Sequence, residues 1–475
     1  MKNILILKPL DCFYTEENGT SNPQLGDSVF SYSLGVLTQV LRNSLKIKLQ
    51  VIDPLAEKLS EDEVFSEIKR LKPDYIFSNV NAINADWIKR IGNLKKSVKF
   101  KFIALINKPF PEETVLKYKE IDGLVHKEWI WTSLEILKSK NIQRVLGIYV
   151  RKGKKSFFTG IRKHIHIDNY PIPAYDLFPM KKYKTFFSLW SDGCSHRCLF
   201  CPFGSYPPTG WEHRSIDKII KEIKELMKYT DIRPLPLFVM DNETTNNPKF
   251  VKKLCKRIIE ENLDIVVDTN TRASTFDEEL AKLMVRAGII NLGFGIESGI
   301  QKILNLNNKD LTLEQIENTT RLMKKYKIIH RGYIMIGMWG DTRETIWKTY
   351  DYVKNELKIK NIGVGICIPY PNTPFFQILK RKGYIKHLSS ENVKWVYKNV
   401  YGYRFIEGKG IKPSWKINED LDFDDLVEIY REMKPKLSEF NLKQFIFYRI
   451  YHNPSLIFKW GKKFLRNPFI FKNYI

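Results

Sequence analysis

The sequence has few cysteines and no long apolar run. Six cysteines in 475 residues are too few to cross-link a secreted domain framework of this size. No stretch of about 18 apolar residues occurs, so we expect no membrane-spanning helix. The opening stretch MKNILILKPLDC is followed by no small-residue cleavage site, so a signal peptide is not expected either. These absences favour a cytoplasmic protein, with peripheral contact at the inner membrane surface as a further option.

The bulk composition is ordinary apart from its charge. Hydrophobic residues make up 43% and charged residues 28%, which excludes collagen-like and disordered classes. The 78 basic and 53 acidic residues leave a net charge of +25. Such an excess favours an anionic partner, which could be a membrane surface, a nucleic acid or an acidic substrate. The length predicts two or three domains.

Residues 1–140 alternate short apolar runs with amphipathic stretches. The runs predicted as strands are Ile4–Leu7, Leu49–Ile52, Tyr75–Phe77, Phe102–Ile106 and Gly123–Val125. Repeated β-α-β units predict a doubly wound parallel sheet of the flavodoxin or Rossmann type, with ligands at the carboxyl ends of its strands. The long loop Pro9–Asp27 would lie at that edge. Residues 141–182 are basic and rich in proline, which predicts a linker or a small hairpin.

Residues 183–385 return to the same alternation. Six strand candidates begin at Phe186, Leu237, Ile265, Asn291, Tyr333 and Ile362, and a helical stretch follows each. Six β/α units predict a partial TIM-like barrel, with its chemistry at the carboxyl ends of the strands. Residues 386–475 lose the alternation and are predicted to be mainly helical. The last 35 residues contain ten aromatic and seven basic residues but no acidic one.

Three of the cysteines lie within eight positions. Cys194, Cys198 and Cys201 form a C-x3-C-x2-C run directly after the first predicted barrel strand. Three thiolates can hold three corners of a cubane iron–sulfur cluster and leave one iron without a protein ligand. Zinc is the alternative, because His196 or His213 could supply a fourth ligand, although zinc sites usually pair two cysteine knuckles.

This run, with Phe200 before its last cysteine, resembles the signature of the radical S-adenosylmethionine (radical SAM) superfamily. The resemblance implies a [4Fe-4S] cluster whose open iron binds S-adenosylmethionine (SAM). Reductive cleavage of SAM would then give a 5′-deoxyadenosyl radical that abstracts hydrogen from a substrate. Phe200 would contribute to cofactor binding. The sequence assigns no further catalytic residue.

Other strand ends resemble family segments. Glu297 and Ser298 lie in a GIESG segment, and Glu297 would accept hydrogen bonds from the SAM ribose. Glu243, in Asp241-Asn-Glu243, would hold the methionine amino group, with helix capping as its structural alternative. Arg272 resembles a residue of the vitamin-B12-binding branch and could pair a carboxylate, whereas a solvated surface arginine is the default. Asp341 stands where glutamate is usual in that branch.

A doubly wound domain before a radical SAM core, joined by a segment such as PIPAYDLFP, resembles the cobalamin-binding branch of the family. The implied domains are a cobalamin-binding-like domain (1–140), a linker (141–182), the barrel (183–385) and a helical C-terminal region (386–475). No histidine precedes His126, so the first loop cannot contain the D-x-H-x-x-G motif that ligates cobalt. His126 itself is predicted to be structural.

The resemblance predicts a cobalamin-dependent radical SAM enzyme that methylates an unactivated carbon. An oxidative cyclase or rearrangement enzyme of the same branch is the alternative. A tRNA methylthiotransferase is not favoured, because Cys12 is the only cysteine before Cys194. A zinc-binding interaction module is the alternative from a different class.

The expected partners follow from the family and from the charge. They are a small-molecule or lipid-like substrate that could be anionic, and an electron donor such as flavodoxin or ferredoxin. The basic aromatic tail predicts either a helical lid or contact with an anionic membrane surface. Nucleic acid is not favoured, since no RNA-binding module is visible.

Overall fold

The fold is taken from a computed structural model of the chain. It describes residues 1–9, 29–80, 86–106, 117–126, 128–183, 185–203, 210–230, 236–371, 373–401 and 409–434. Within these, two compact units are formed, the first by Met1–Asn242 with Ile368–Lys416 and the second by Glu243–Cys367 with the chain from Ile417 onward.

The strands are numbered in chain order. They are β1 Lys2–Leu7, β2 Ile47–Ile52, β3 Tyr75–Asn79, β4 Lys101–Ile106, β5 Gly123–His126, β6 Ile148–Lys152, β7 Lys155–Phe158, β8 Phe186–Ser188, β9 Ser191–Gly193, β10 Trp211–His213, β11 Leu237–Val239, β12 Val267–Thr271, β13 Ile289–Glu297, β14 Ile329–Ile336, β15 Asn361–Ile366, β16 Lys416–Asn418 and β17 Leu421–Asp422.

The helices are numbered in the same way. They are α1 Tyr32–Ser44, α2 Pro54–Glu57, α3 Glu61–Leu71, α4 Asp86–Asn93, α5 Trp129–Lys138, α6 Ile216–Tyr229, α7 Pro248–Glu260, α8 Glu278–Arg286, α9 Gln301–Leu306, α10 Leu313–Lys325, α11 Arg343–Asp351, α12 Pro374–Arg381, α13 Ser390–Asn399 and α14 Phe423–Met433.

The N-terminal sheet has the order β2-β1-β3-β4-β5-β6-β7. Strands β1 to β5 are parallel, and β6 and β7 continue the sheet as an antiparallel hairpin. The order 2-1-3-4-5 is that of flavodoxin-like doubly wound folds, whose switch point lies between β1 and β3. The predicted doubly wound sheet is therefore confirmed. The hairpin lies in the segment predicted as a linker or small hairpin, and it extends this sheet to Phe158.

One face of this sheet is buried under helices. Ile76, Phe102 and Leu124 of the strands share a core with Val64 and Trp87 of the helices α3 and α4. Helix α3 begins with a capping box. The Ser60 hydroxyl accepts from the backbone N–H of Glu63, and the Glu63 carboxylate accepts from the backbone N–H of Ser60. Near-continuous apolar strands are what a parallel sheet covered by helices requires.

The segment PIPAYDLFP docks on the start of α1. The rings of Tyr175 and Phe178 both lie 5.2 Å from the ring of Phe30. A Cβ on Gly35 would lie 2.8 Å from Pro173 Cβ, so only glycine permits this approach. Further along, the Tyr183 hydroxyl donates to Asp53 at 2.8 Å. These contacts fix the segment against the N-terminal sheet.

The barrel region opens with two parallel strands in the first unit. Strand β8 pairs with β11, so that Phe186 lies beside Leu237. Directly after β8, strands β9 and β10 form an antiparallel ribbon. The chain between the two ribbon strands carries the cysteine run.

The second unit contains four parallel strands, β12 to β15, paired in chain order. Apolar side chains such as Ile290, Leu292 and Phe294 are buried along β13. Together with β8 and β11, all six strands predicted for the barrel region are present, and helices alternate with them. The α/β class with parallel sheets is confirmed.

The last described elements are mainly helical, as predicted, with a short β16–β17 pair before α14. No helix among the described residues is long and apolar enough to cross a membrane. The basic aromatic tail and most of the loop Pro9–Asp27 lie outside the described residues.

Candidate active site: the cysteine loop and the strand ends

The cysteine loop follows β9 and leads to β10, the two strands of the ribbon. Gly193 pairs with Trp211 at the open end of the ribbon, and Cys194 follows immediately. The backbone N–H of Cys201 donates to the carbonyl of Cys198 at 3.2 Å, which turns the chain between the second and third cysteines. The spacing therefore places the three thiols on one loop, as the sequence predicted.

A buried carboxylate clamps the ribbon just before the cysteines. Asp241, which is 1% exposed, accepts hydrogen bonds from the backbone N–H groups of Trp190 and Ser191, both at 2.9 Å. It also accepts from the Ser191 hydroxyl at 2.6 Å, and Asn242 donates to Asp192 at 3.1 Å. The clamping role of Asp241 has no signal in the sequence, because its partners lie about 50 residues away along the chain.

The loop cysteines differ from the buried ones. Cys194, Cys198 and Cys201 are partly exposed, whereas Cys255 and Cys367 are buried. Burial raises the pKa of Cys255 to about 12, and burial beside Asp341 and Glu297 raises that of Cys367 well above its usual value. The buried thiols therefore stay protonated, and the loop carries the accessible sulfur ligands.

The described residues contain no trio of histidine, cysteine or acidic side chains that already converges on one metal ion. Three thiols on one accessible loop are a donor set that fits a cubane iron–sulfur cluster.

Phe200 is buried within the loop at 9% exposure. Its neighbour Leu199 accepts a hydrogen bond from the backbone N–H of Phe375, in the first turn of α12, at 3.1 Å. This contact anchors the loop between its second and third cysteines. The role of Phe200 in cofactor binding stays a prediction.

In the second unit, Glu297 ends β13 in an unusual conformation. Its φ of 63° lies in the left-handed region, which costs a non-glycine residue on the order of 1–3 kcal/mol. The carboxylate pairs with the ammonium of Lys309 at 2.8 Å, and both side chains are about one-tenth exposed. Strain of this kind concentrates at functional sites, which supports the prediction for Glu297.

Arg272 supports the loop that carries Lys309. It is 5% exposed, and its guanidinium donates to the carbonyls of Lys309 and Asp310 and to the Ser274 hydroxyl. Asn308 and Asp310 of the same loop have left-handed φ values of 51° and 46°. Arg272 is thus not the solvated surface arginine taken as the default, and its described contacts position Lys309.

Ser298 and Glu243, the other two predicted residues, form hydrogen bonds within the second unit. The Ser298 hydroxyl lies 3.1 Å from that of Thr349 and accepts from the backbone N–H of Ile300 at 3.2 Å. Glu243 is 5% exposed and accepts from Thr275 at 3.5 Å. Its side chain makes no capping hydrogen bond, whereas Asn247 caps α7 by accepting from Phe250. Glu243 thus stands at the N-cap position of the short helical turn Thr244–Asn246 without a capping hydrogen bond from its side chain, and its role stays a prediction.

A polar network crosses three strands of the second unit. Arg331 on β14 donates to both oxygens of Asp268 on β12, at 2.5 and 2.9 Å, and to Asn291 on β13 at 2.9 Å. Glycines alternate with these polar residues at Gly293 and Gly295 of β13. The side chains on this face of the strands are polar or small, whereas those on the opposite face are apolar. The alternation in β13 was the signal available in the sequence.

The N-terminal sheet offers polar groups at its carboxyl edge. Ser78 and Asn79 end β3, beside the switch point, and each has a buried oxygen with no hydrogen-bond partner among the described residues. His126 ends β5 with its ring 6.1 Å from that of Tyr149, which agrees with a structural role. Unpaired buried oxygens at this edge fit a polar ligand. Cobalamin is the ligand that the family resemblance implies there.

The described structure thus forms two groups of candidate residues. The first unit brings the three cysteines, Phe200 and the Asp241 clamp together. The second unit brings Glu297, Lys309 and Arg272 together, and it holds Ser298 and Glu243 at neighbouring strand ends.

Comparison with known protein families gives one match. Residues 188–353 match the radical SAM superfamily. The matched segment begins at the last residue of β8 and contains the cysteine run and the GIESG segment.

The proteins similar to the chain include two curated relatives and one solved structure of particular relevance. An uncharacterized methyltransferase of Pyrococcus horikoshii is 28% identical over 79% of this chain and 83% of its own. An anaerobic magnesium-protoporphyrin IX monomethyl ester cyclase of Rubrivivax gelatinosus is 25% identical over 70% of this chain and 63% of its own.

The structure is the radical SAM methyltransferase TsrM from Kitasatospora setae, with cobalamin and a [4Fe-4S] cluster bound. It has a TM-score of 0.66 at 16% identity and covers 82% of this chain and 80% of its own. At that identity the likeness concerns the fold.

Proposed function

We propose that the chain is a cobalamin-dependent methyltransferase of the radical SAM superfamily, because residues 188–353 match that family and a doubly wound sheet precedes them in the chain, as in the cobalamin-binding branch. Its substrate would be a small molecule with an unactivated carbon. The observation that carries the proposal is the loop of three accessible thiols on a clamped ribbon.

The radical and methyl-transfer chemistry would come from the cofactors. When bound, a [4Fe-4S] cluster with SAM supplies a 5′-deoxyadenosyl radical, and cobalamin supplies a methyl carrier. Cys194, Cys198 and Cys201 would hold the cluster and leave one iron open. Asp241 fixes the backbone that delivers the first cysteine.

The second unit would bind the nucleoside part of SAM. Lys309 holds the Glu297 carboxylate through one oxygen, Oε1. An ionised carboxylate has further lone pairs, which can accept hydrogen bonds from ribose hydroxyls. Arg272 contributes indirectly, because it fixes the loop from which Lys309 reaches Glu297.

A cyclase of the same branch is the second candidate. One of the two relatives described above is named a methyltransferase and the other a cyclase. The mass of the product separates the two reactions. Methylation adds the mass of one methylene unit, whereas oxidative ring formation removes hydrogen or adds oxygen.

The first experiment tests the cluster. After anaerobic reconstitution, iron and sulfide should bind and SAM should be cleaved to 5′-deoxyadenosine, whereas Cys198→Ala should lose cluster and cleavage together. Cys255→Ala is the matched control, since Cys255 is buried in α7 and should leave both unchanged. Stoichiometric zinc in a colourless protein would contradict the proposal and support the interaction module.

The second experiment tests cobalamin. The absorption spectrum of the reconstituted protein with cobalamin should show the base-off form, because no histidine precedes His126. Failure to bind cobalamin would leave a radical SAM enzyme whose N-terminal sheet has another role.

The partners follow from the family and the charge. Radical SAM enzymes act on small molecules and need an electron donor, which we propose is flavodoxin or ferredoxin. We also propose that the basic aromatic tail contacts an anionic membrane surface, where rings lie at headgroup depth and lysines meet phosphate.

A further inference from the structure

His164 lies between two buried carboxylates in the first unit. Its Nδ1 is 2.6 Å from Oε1 of Glu128, and its Nε2 is 2.9 Å from Oε2 of Glu212. The His164 side chain is 12% exposed, and the glutamates are 6% and 2% exposed. The three residues come from separate segments, 36 and 48 positions from His164 along the chain.

The two contacts indicate which protonation state of the His164 ring fits this position. A neutral imidazole donates from one nitrogen only, so its other nitrogen would face a carboxylate lone pair. An imidazolium donates from both nitrogens, and it is the form of the ring that can donate to a carboxylate on each side. Burial lowers the pKa of His164, but the hydrogen bonds to Glu212 and Glu128 outweigh it, so that the pKa is raised overall.

Glu128 occupies a strained position to make this contact. It follows β5 and precedes α5, with a left-handed φ of 35°. An acidic residue there usually caps the helix, yet the side chain of Glu128 makes no capping hydrogen bond. The backbone instead turns the carboxylate toward His164. This turn lies at the carboxyl edge of the N-terminal sheet, the edge at which doubly wound folds bind ligands.

Glu212 is the central residue of β10 and lies opposite Asp192 of β9. Its second oxygen accepts from the backbone N–H of Ile167 at 2.9 Å. The ribbon that ends at Cys194 is thus held by Asp241 from one element and by His164 with Ile167 from another. The second connection reaches the N-terminal sheet through Glu128.

We propose that His164 is a positioning residue, which ties the base of the cysteine loop to the carboxyl edge of the N-terminal sheet by donating to Glu212 and Glu128. The bridge itself rests on the described contacts, and its importance for catalysis rests on the proposed function. If the two edges carry the cluster and the corrinoid, this bridge fixes one cofactor-bearing segment to the other.

The neighbouring charges provide a matched control. His166 approaches the same Glu212 oxygen at 3.8 Å and is half exposed, and Arg162 pairs with Glu135 instead. His166→Gln removes a nearby imidazole without breaking the bridge, and its side-chain oxygen can still accept from the backbone N–H of Asp168, as the His166 ring does. His164→Gln keeps a polar side chain of similar reach, but its amide oxygen would face one carboxylate and repel it.

Hydrogen exchange in the full-length chain tests the bridge without any cofactor. Raising the pH from below to above the raised pKa of His164 should deprotonate the ring and speed exchange of the Ile167 and ribbon amides about tenfold beyond the intrinsic change, as one charge-assisted hydrogen bond predicts. His164→Gln should show the faster exchange at both pH values, and His166→Gln should match the parent.

Two results would overturn the proposal. One is parental protection of these amides in a folded His164→Gln protein. The other, which needs no variant, is protection in the parent that does not change with pH.

A second measurement separates this inference from the proposed function. In the reconstituted chain, a chelator should remove iron from His164→Gln several-fold faster than from the parent and from His166→Gln. Equal rates would contradict the positioning role. A parent that takes up no iron would refute the proposed function, and hydrogen exchange would still decide whether the bridge exists.

Discussion

Glu297 combines two features that rarely coincide in one residue. Its backbone is left-handed, and its carboxylate is almost buried beside a single lysine. Removing one partner of such a pair leaves a charge without compensation in a region of low dielectric, which usually costs about 3–5 kcal/mol. The ion pair therefore holds the strained strand end in place.

We expect Lys309→Met to lower the free energy of unfolding by about 3 kcal/mol, because the Glu297 carboxylate would stay buried alone. Urea denaturation at neutral pH measures this loss. The double variant Lys309→Met/Glu297→Gln should recover most of it. Lys302→Met, on the exposed side of α9, is the control and should change stability little. Equal losses for Lys309→Met and Lys302→Met would contradict the role of the pair.

Asp341 is the second residue whose environment makes a prediction. Burial raises its pKa to about 6, against hydrogen bonds from Met338, Thr345 and Gly337 that lower it. The folded state therefore binds this proton more tightly than the unfolded state does. The resulting stability is fully present below about pH 4 and is lost as the pH rises through about 6.

Asp341→Asn should remove that pH dependence. Between about pH 4 and pH 7 the parent should lose about 2–3 kcal/mol relative to the variant, since one pKa unit corresponds to about 1.4 kcal/mol. The difference between their unfolding free energies, measured by urea at several pH values, isolates this group from other acids. Parallel curves for the two proteins would show that Asp341 does not titrate in this range.

At the scale of the elements, sequence periodicity predicted the positions of most strands and helices but not how they end. The apolar periodicity of Arg343–Leu357 predicts a single helix. The α-helix ends at Asp351, and a wider π-helical turn, Tyr352–Glu356, follows. A Cβ on Gly299 would lie 2.8 Å from the ring of Tyr352, so the ring packs tightly on this glycine of the GIESG segment. Periodicity cannot detect such a contact, because it spans about 50 residues.

The candidate site residues divide in the same way, into those with a local signal in the sequence and those without one. Cys194, Cys198 and Cys201 could be predicted because their chemistry depends on local spacing. Lys309 and Asp241 could not, because each acts on a residue that only the fold brings near. The role of Arg272 changed for the same reason, since its partners are backbone carbonyls with no sequence signal.

The turn that precedes β13 leads to a prediction about Gly288. Gly288 has a φ of 81°, and a Cβ there would lie 2.1 Å from the carbonyl oxygen of Ile265. Gly383 has a similar φ of 73°, but nothing lies within 4 Å of its Cβ position. Both alanine variants pay the left-handed penalty of about 1–2 kcal/mol, and Gly288→Ala adds an overpacking cost of about 1–3 kcal/mol.

Chemical denaturation of the two alanine variants measures these costs. Gly288→Ala should be the less stable protein, and the difference should equal the steric component. Equal stabilities would mean that the backbone of Ile265 moves away without cost.

At the scale of the whole molecule, the net charge of +25 is the most unusual property. Cations spread evenly over a surface give weak, non-specific attraction to anions, which salt screens within about 10 Å at 0.1 M. Clustered cations with aromatic rings bind an anionic interface more strongly. The last 35 residues, with seven basic and ten aromatic residues, have the clustered composition.

Vesicle binding distinguishes clustered from spread charge. The protein should bind vesicles containing phosphatidylserine and should dissociate from them as salt is raised, because each lysine near such a surface contributes about 1 kcal/mol. Replacing Lys459, Lys462 and Lys463 with glutamine should weaken sedimentation with these vesicles far more than replacing the exposed Lys46, Lys48 and Lys302. If both triple variants lose binding equally, the attraction arises from the total charge, and the tail has no special role at the membrane.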